Sequence, residues 1–157
     1  MFAVRPARID EAESLTSLCL CSKAHWGYDA VFMRLSAEAL TLAEADISAG
    51  RVLVAVDAAG RTIGLVRVEP DGEEAELGLM FVDPPAMGSG AGRLLFEAAT
   101  QLARTLDARR MVILADPNAA PFYERMGARF VRYAPSDAIP GRMLPFFEYD
   151  LAKEGTS

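Results

Sequence analysis

The chain has 157 residues, of which 52% are hydrophobic and 24% charged, the balance of a globular protein and not of a disordered one. A net charge of −6 and only two lysines, Lys23 and Lys153, set it against nucleic acid as the main partner, because neutralising phosphates takes clustered cations. No apolar run approaches the ~18 to 20 residues of a membrane span, and a single His, with Cys19 and Cys21 on opposite faces of a helical pattern, leaves no expected metal site.

The length suits one domain over residues 1–152, with a frayed tail over 153–157. No apolar leader precedes the first strand-like residues, so a cytoplasmic location is expected. Phe2 to Ala7 alternates as a short strand. Asp10 opens a helix whose Ala12, Leu15, Leu18 and Cys19 recur at three- and four-residue steps, and Gly27 ends it. The corner from Ser22 to Asp29 holds the only His and the only Trp, His25 and Trp26, and core packing is one account of its aromatics. A second helical stretch, broken around Ser36, runs to Gly50.

Val52 to Val56 and Thr62 to Val68 flank a short Asp- and Gly-containing loop, and a second turn leads to Ala75 to Val82, so strands two to four form an antiparallel meander. Gly78 stands out within the last of these strands, where a glycine marks a bulge or a close approach by another group.

Next comes Pro84-Pro85-Ala86-Met87-Gly88-Ser89-Gly90-Ala91-Gly92-Arg93. The prolines stop the strand, the glycines free the backbone to turn, and a helix beginning beyond Gly92 offers unsatisfied amides to phosphate oxygens. There is no Gly-Lys-Ser/Thr for a Walker loop, and the glycine spacing fails the dinucleotide fingerprint. Leu95, Ala98, Ala99, Leu102, Ala103 and Leu106 give the following helix its apolar stripe. Met111 to Leu114 reads as a buried strand of parallel type, and Asp116-Pro117-Asn118 caps the next helix. Ala119-Ala120-Pro121-Phe122-Tyr123-Glu124-Arg125-Met126-Gly127 follows, then closing strands at Phe130 to Tyr133 and Phe146 to Leu151, joined by a long Pro/Gly-punctuated loop.

Two of these stretches, about thirty residues apart and in the expected element order, resemble motifs of the GNAT superfamily of acetyl-CoA-dependent acyltransferases. The glycine run resembles Q/R-x-x-G-x-G/A, with Met87 in the Q/R position. The second resembles A-x-x-F-Y-E/K-x-x-G-F, with Ala119, Phe122, Tyr123, Glu124 and Gly127 in place and Ala128 where an aromatic is usual. The resemblance implies an α/β (α+β) fold with a central mixed, mostly antiparallel sheet flanked by helices, and acetyl-CoA as cosubstrate with no metal.

For the site, it implies that Gly88, Ser89, Gly90, Ala91, Gly92 and Arg93, with Met87, hold the pyrophosphate. Met80, Phe81 and Val82 would offer free backbone groups to the pantetheine arm, with Phe122 and either Asn118 or Asp116 adding side-chain contacts. Tyr123 is the implied acid, Glu76, His25 or a water relay the base, and His25, Trp26 and Tyr28 border the acceptor pocket. The acceptor would be a small-molecule or peptide primary amine, with no nucleic acid or membrane involved and a homodimer left open. A non-catalytic, regulatory CoA-binding module is the alternative, suggested by Met87 in place of Q/R.

Overall fold

The computed structural model describes residues 2–151, and the tail expected over 153–157 lies outside them. Seven strands form the sheet: β1 (Ala3–Pro6), β2 (Val52–Val56), β3 (Thr62–Asp71), β4 (Glu74–Val82), β5 (Arg110–Leu114), β6 (Arg129–Pro135) and β7 (Met143–Asp150). Their order is β1-β2-β3-β4-β5-β7-β6, and every neighbouring pair is antiparallel except β4 with β5. The mixed, mostly antiparallel sheet expected from the motifs is therefore present, with the meander at its centre.

The helices are α1 (Ala12–Ala24), α2 (Ala30–Ser36), α3 (Glu44–Ser48), α4 (Ala91–Thr105) and α5 (Ala120–Arg125). The first starts later than Asp10, because Ile9–Glu11 forms a 3-10 turn, and the break at Ser36 splits the second stretch into two helices. Asp29 caps α2 by accepting from the Phe32 amide at 2.8 Å. Arg5 pairs with Glu11 through two hydrogen bonds of 2.8 and 2.9 Å, which fastens β1 to the entry of α1.

Each face of the sheet carries its own core. Leu95, Phe96, Ala99 and Ala103 of α4 pack with Val66, Val68 and Ile113 on one face. Leu15 and Cys19 of α1, Leu40, Leu42 and Ile47 pack with Val54 and Leu65 on the other. A bulge in β4 decides which of its residues point where. On β4, Val68 faces Leu77 and Arg67 faces Leu79, so Gly78 is an extra residue with no partner. Strict alternation would put Leu77 and Leu79 on one face; the bulge sends Leu77 to the α4 side and Leu79 to the α1 side.

Gly64 tests the tightness of the α4 face. A Cβ there would meet Leu95 Cδ1 at 2.7 Å and the Phe81 carbonyl oxygen at 2.9 Å, and the second of these is backbone that cannot rotate away. Gly64→Ala is expected to cost ~1 to 3 kcal/mol, the usual penalty of overpacking. Urea denaturation checks it, and a loss below about 0.5 kcal/mol, the scale of an ordinary surface change, would mean that this seam has slack.

Candidate active site

β4 and β5 pair only over Glu74 to Glu76, opposite Arg110 to Val112. Beyond the Gly78 bulge β4 stays with β3 while β5 stays with β7, so the sheet opens into a wedge. The Asp83 amide donates to the Ile63 carbonyl at 2.8 Å. Antiparallel pairs alternate between bonded and non-bonded, so Phe81, directly opposite Leu65, spends its N–H and C=O on β3. Met80 and Val82 are the residues whose backbone groups turn into the wedge. Phe81 is thus corrected from a backbone donor to a residue whose side chain lines the cavity and packs toward the α1 core.

The wedge belongs to a cavity of about 720 Å³ that runs from the glycine turn to the α1–α2 corner and the β6–β7 loop. At the glycine turn, the Met87 and Ser89 amides are used on the carbonyls of Pro84 and Ala86. No bond to a described residue takes the amides of Gly88, Gly90, Gly92 and Arg93. Gly90, with φ of +94°, caps α4, which begins at Ala91 and not beyond Gly92. A Cβ at Gly88 or Gly90 would meet nothing within 4 Å, whereas at Gly92 it would meet the Phe122 ring at 3.2 Å. The first two glycines therefore serve turning and open approach, and the third serves packing of α4 on α5.

Two residues expected at this cradle are turned away from it. Ala91 is fully buried in the core, and the Ser89 hydroxyl donates back to the Ala86 carbonyl. The walls do include Met87, Gly88, Gly90, Gly92 and Arg93, with Phe122, Asn118, Met80 and Val82. Four unspent amides at a helix start beside open space, leading to a backbone-lined wedge, fit a ligand with phosphates at one end and an amide-bearing chain at the other.

Tyr123, only 6% exposed, reaches the cavity wall from α5 among Phe96, Phe122 and Phe147. Its hydroxyl has no hydrogen bond to any described residue. Burial, with the nearby Asp116 carboxylate adding to it, pushes that hydroxyl well above its usual range, so it keeps its proton.

Glu76 lines the cavity on the α1 side of the sheet and is half buried. Its pKa is raised chiefly by burial and next by Glu69, its direct cross-strand neighbour, while Arg67 opposes the rise. Arg67 also accounts for the remaining peculiarity of Gly78. A Cβ at Gly78 would stand 2.9 Å from Arg67 Nη2, so the group closing on this glycine is the Arg67 guanidinium. Its Nε lies 3.0 Å from Glu69, out of line for a hydrogen bond, and Nη1 lies 3.9 Å from Asp46.

The residues expected at the acceptor end separate. Trp26, 46% exposed, stands in the cavity wall. His25 is exposed and packs edge-on against Trp26 without reaching the wall, which removes it from contact with the reacting groups. Tyr28 also lies behind the wall, where its hydroxyl donates to Asp116 at 2.9 Å and accepts from Asn118 and Arg142. Asp116 in turn caps the turn before α5 through the Asn118 amide and binds Lys23 at 2.7 Å. Of the two candidates for the pantetheine contact, Asp116 is taken by these partners and Asn118 has its side-chain oxygen still available.

Sequence reasoning missed Arg67, Lys23 and Arg142. Gly78 signalled the first; the Ser22 to Asp29 corner and the long loop ending at Arg142 marked the regions of the other two without singling out either cation.

Comparison with known proteins identifies the fold and the family. A family model described as an acetyltransferase (GNAT) domain matches residues 24–137. A GCN5-related N-acetyltransferase from Rhodopseudomonas palustris superposes with a TM-score of 0.75 at 21% identity, over 95% of both chains. PaiA N-acetyltransferase from Thermoplasma acidophilum, solved with coenzyme A, gives 0.76 at 15% identity over 96% of this chain and 99% of its own. YncA from Salmonella typhimurium, solved with its cofactor acetyl-CoA, gives 0.70 at 21% identity over 96% and 94%. No curated protein matches the sequence. With the family model spanning well over half of its length, the chain belongs to the GNAT acetyltransferases, which are acyltransferases.

Proposed function

We propose that the protein moves an acetyl group from acetyl-CoA directly to a primary amine. The observation that carries this reading is the wedge beyond Gly78, which joins the unspent amides of the glycine turn to a pocket holding Tyr123 and Glu76. Bound there, acetyl-CoA supplies the acyl group in activated form as a thioester.

The protein's own residues divide the remaining work. Gly88, Gly90, Gly92 and Arg93 present amides for phosphate oxygens, which explains how the cradle serves without the Gln or Arg that Met87 replaces. Met80 and Val82 offer backbone donors and acceptors along the wedge, and an N–H there polarises a carbonyl without reorganising. Glu76 takes a proton from the acceptor ammonium. Tyr123 holds a proton at its hydroxyl for the departing sulfur. Cys19 is buried and Cys21 exposed, both outside the cavity wall, so the transfer uses no cysteine nucleophile.

Acetyl-CoA at a hundred times its dissociation constant is expected to stabilise the fold by about 2.7 kcal/mol, while ATP and NAD give much smaller shifts in a thermal melt. Thiol release from acetyl-CoA across a panel of amines then tests transfer. Equal melting shifts with all three ligands would remove the cofactor assignment. A strong shift with no thiol released by any amine would instead establish the non-catalytic CoA-binding module.

A further inference from the structure

Lys23 on α1 and Arg142 in the β6–β7 loop share a single carboxylate. Asp116 Oδ2 lies 2.7 Å from Lys23 Nζ and 3.8 Å from Arg142 Nη2. The same oxygen accepts from the Tyr28 hydroxyl at 2.9 Å, and Arg142 Nη2 donates to that hydroxyl at 2.9 Å. Both cations also stand over the stacked rings of Tyr28 and Phe32, at 4.8 to 5.6 Å from the centroids. Two positive charges and one negative charge leave the group with an excess of one cation.

That excess sits where solvent reaches it poorly. The Lys23 and Arg142 side chains are only 13% and 19% exposed, and Asp116 15%. Lys23 has three donors and Arg142 five, and one of each is engaged with the oxygens of Asp116 and Tyr28. No described residue takes the others by hydrogen bond, and both side chains form part of the cavity wall. A partly buried excess charge is costly unless an opposite charge approaches it. The opposite sign gathers elsewhere in the wall, where Glu76 and Asp137 line the cavity and Glu69 stands directly across the strand pair from Glu76, with Arg67 the cation among them. The cavity thus has a cationic side and an acidic side.

We propose that the acceptor is an amine that also carries a carboxylate, with Lys23 and Arg142 binding the acid while the amine is presented toward Glu76. The proposal rests on the acetyl-transfer reading above and names the class of acceptor for it. Lys23 and Arg142 are then specificity-determining residues, and Tyr28, Asp116 and Asn118 position them. The competing account is a clasp that only ties the α1–α2 corner to the β6–β7 loop.

The protein is assayed for thiol release with L-α-amino acids and straight-chain ω-amino acids, each paired with its primary amide, and with simple alkylamines. The wild type is expected to favour acid over amide by at least about tenfold in kcat/KM, through KM. In Arg142→Gln and in Lys23→Met the ratio is expected to fall by about 10- to 100-fold, the range for losing a hydrogen bond to a charged group. Arg142→Lys should keep part of it. Acetyl-CoA binding reports whether each variant has folded, and Arg142→Gln, a loop substitution, suffices if Lys23→Met has not. Amides or alkylamines used as well as acids, or a ratio unchanged in a folded variant, would overturn the proposal and leave acetyl transfer standing. Thiol release with none of the amines, despite acetyl-CoA binding, would overturn both.

Discussion

Replacing Tyr123 with Phe should lower kcat by ~10² to 10⁴-fold while the acetyl-CoA dissociation constant stays within about twofold, because the substitution deletes one proton donor and keeps the ring. The ring is what the fold uses. It packs between Phe122 and Phe147 and under Phe96, in contacts that Phe reproduces. The hydroxyl makes no hydrogen bond to a described residue, so its removal strands no partner, and its burial cost disappears with it. Stability should therefore hold or rise slightly. An activity effect without a stability effect is hard to obtain from a packing residue, which makes the pair of measurements decisive. A kcat within about threefold of wild type would return Tyr123 to a purely structural role, with the departing sulfur protonated from solvent.

How far the sequence reveals this site depends on the range of the interactions involved. The glycine turn and the Phe122-Tyr123 pair are legible because each acts through its own backbone or through neighbours one helical turn away. Even there, local pattern assigns six residues besides Met87 to the cradle where geometry keeps the amides of four, since the Ser89 amide is spent on the Ala86 carbonyl and the Ala91 amide faces the Ser89 hydroxyl. The choice of Met80 and Val82 over Phe81 needs the register of β3 against β4, which a single strand does not carry. Gly78 is visible as an anomaly, but the guanidinium that fills its missing Cβ comes from across the hairpin. Lys23 and Tyr28 meet Asp116 and Arg142 through hydrogen bonds that span 88 to 114 residues, and each alone reads as an ordinary polar side chain. His25 and Trp26 are adjacent, yet only Trp26 reaches the cavity, because helical geometry at the end of α1 points consecutive side chains in different directions.

Glu76→Gln should produce the second large effect, in activity and stability with opposite signs. As the base that takes the acceptor proton, Glu76 should contribute ~10² to 10⁴-fold to kcat, so the Gln variant loses that factor near neutral pH. Burial raises the Glu76 pKa in the folded chain, and Glu69 adds to the rise against the opposing pull of Arg67. The folded state therefore holds this proton to higher pH than the unfolded state does, and stability falls as pH climbs from the unfolded carboxylate pKa through the folded one. Above that window the wild type carries a desolvated charge beside another carboxylate, whereas Gln carries none. The variant should accordingly match the wild type at pH 4 and exceed it at pH 8 in the midpoint of urea unfolding. In the wild type, kcat should rise with pH as Glu76 deprotonates, and this limb should vanish in Glu76→Gln. A variant that keeps the ascending limb with nearly full kcat would show that another group or a water chain takes the proton. A stability gain appearing in that same variant would still locate the raised pKa at Glu76, so the electrostatic claim and the catalytic claim can fail separately.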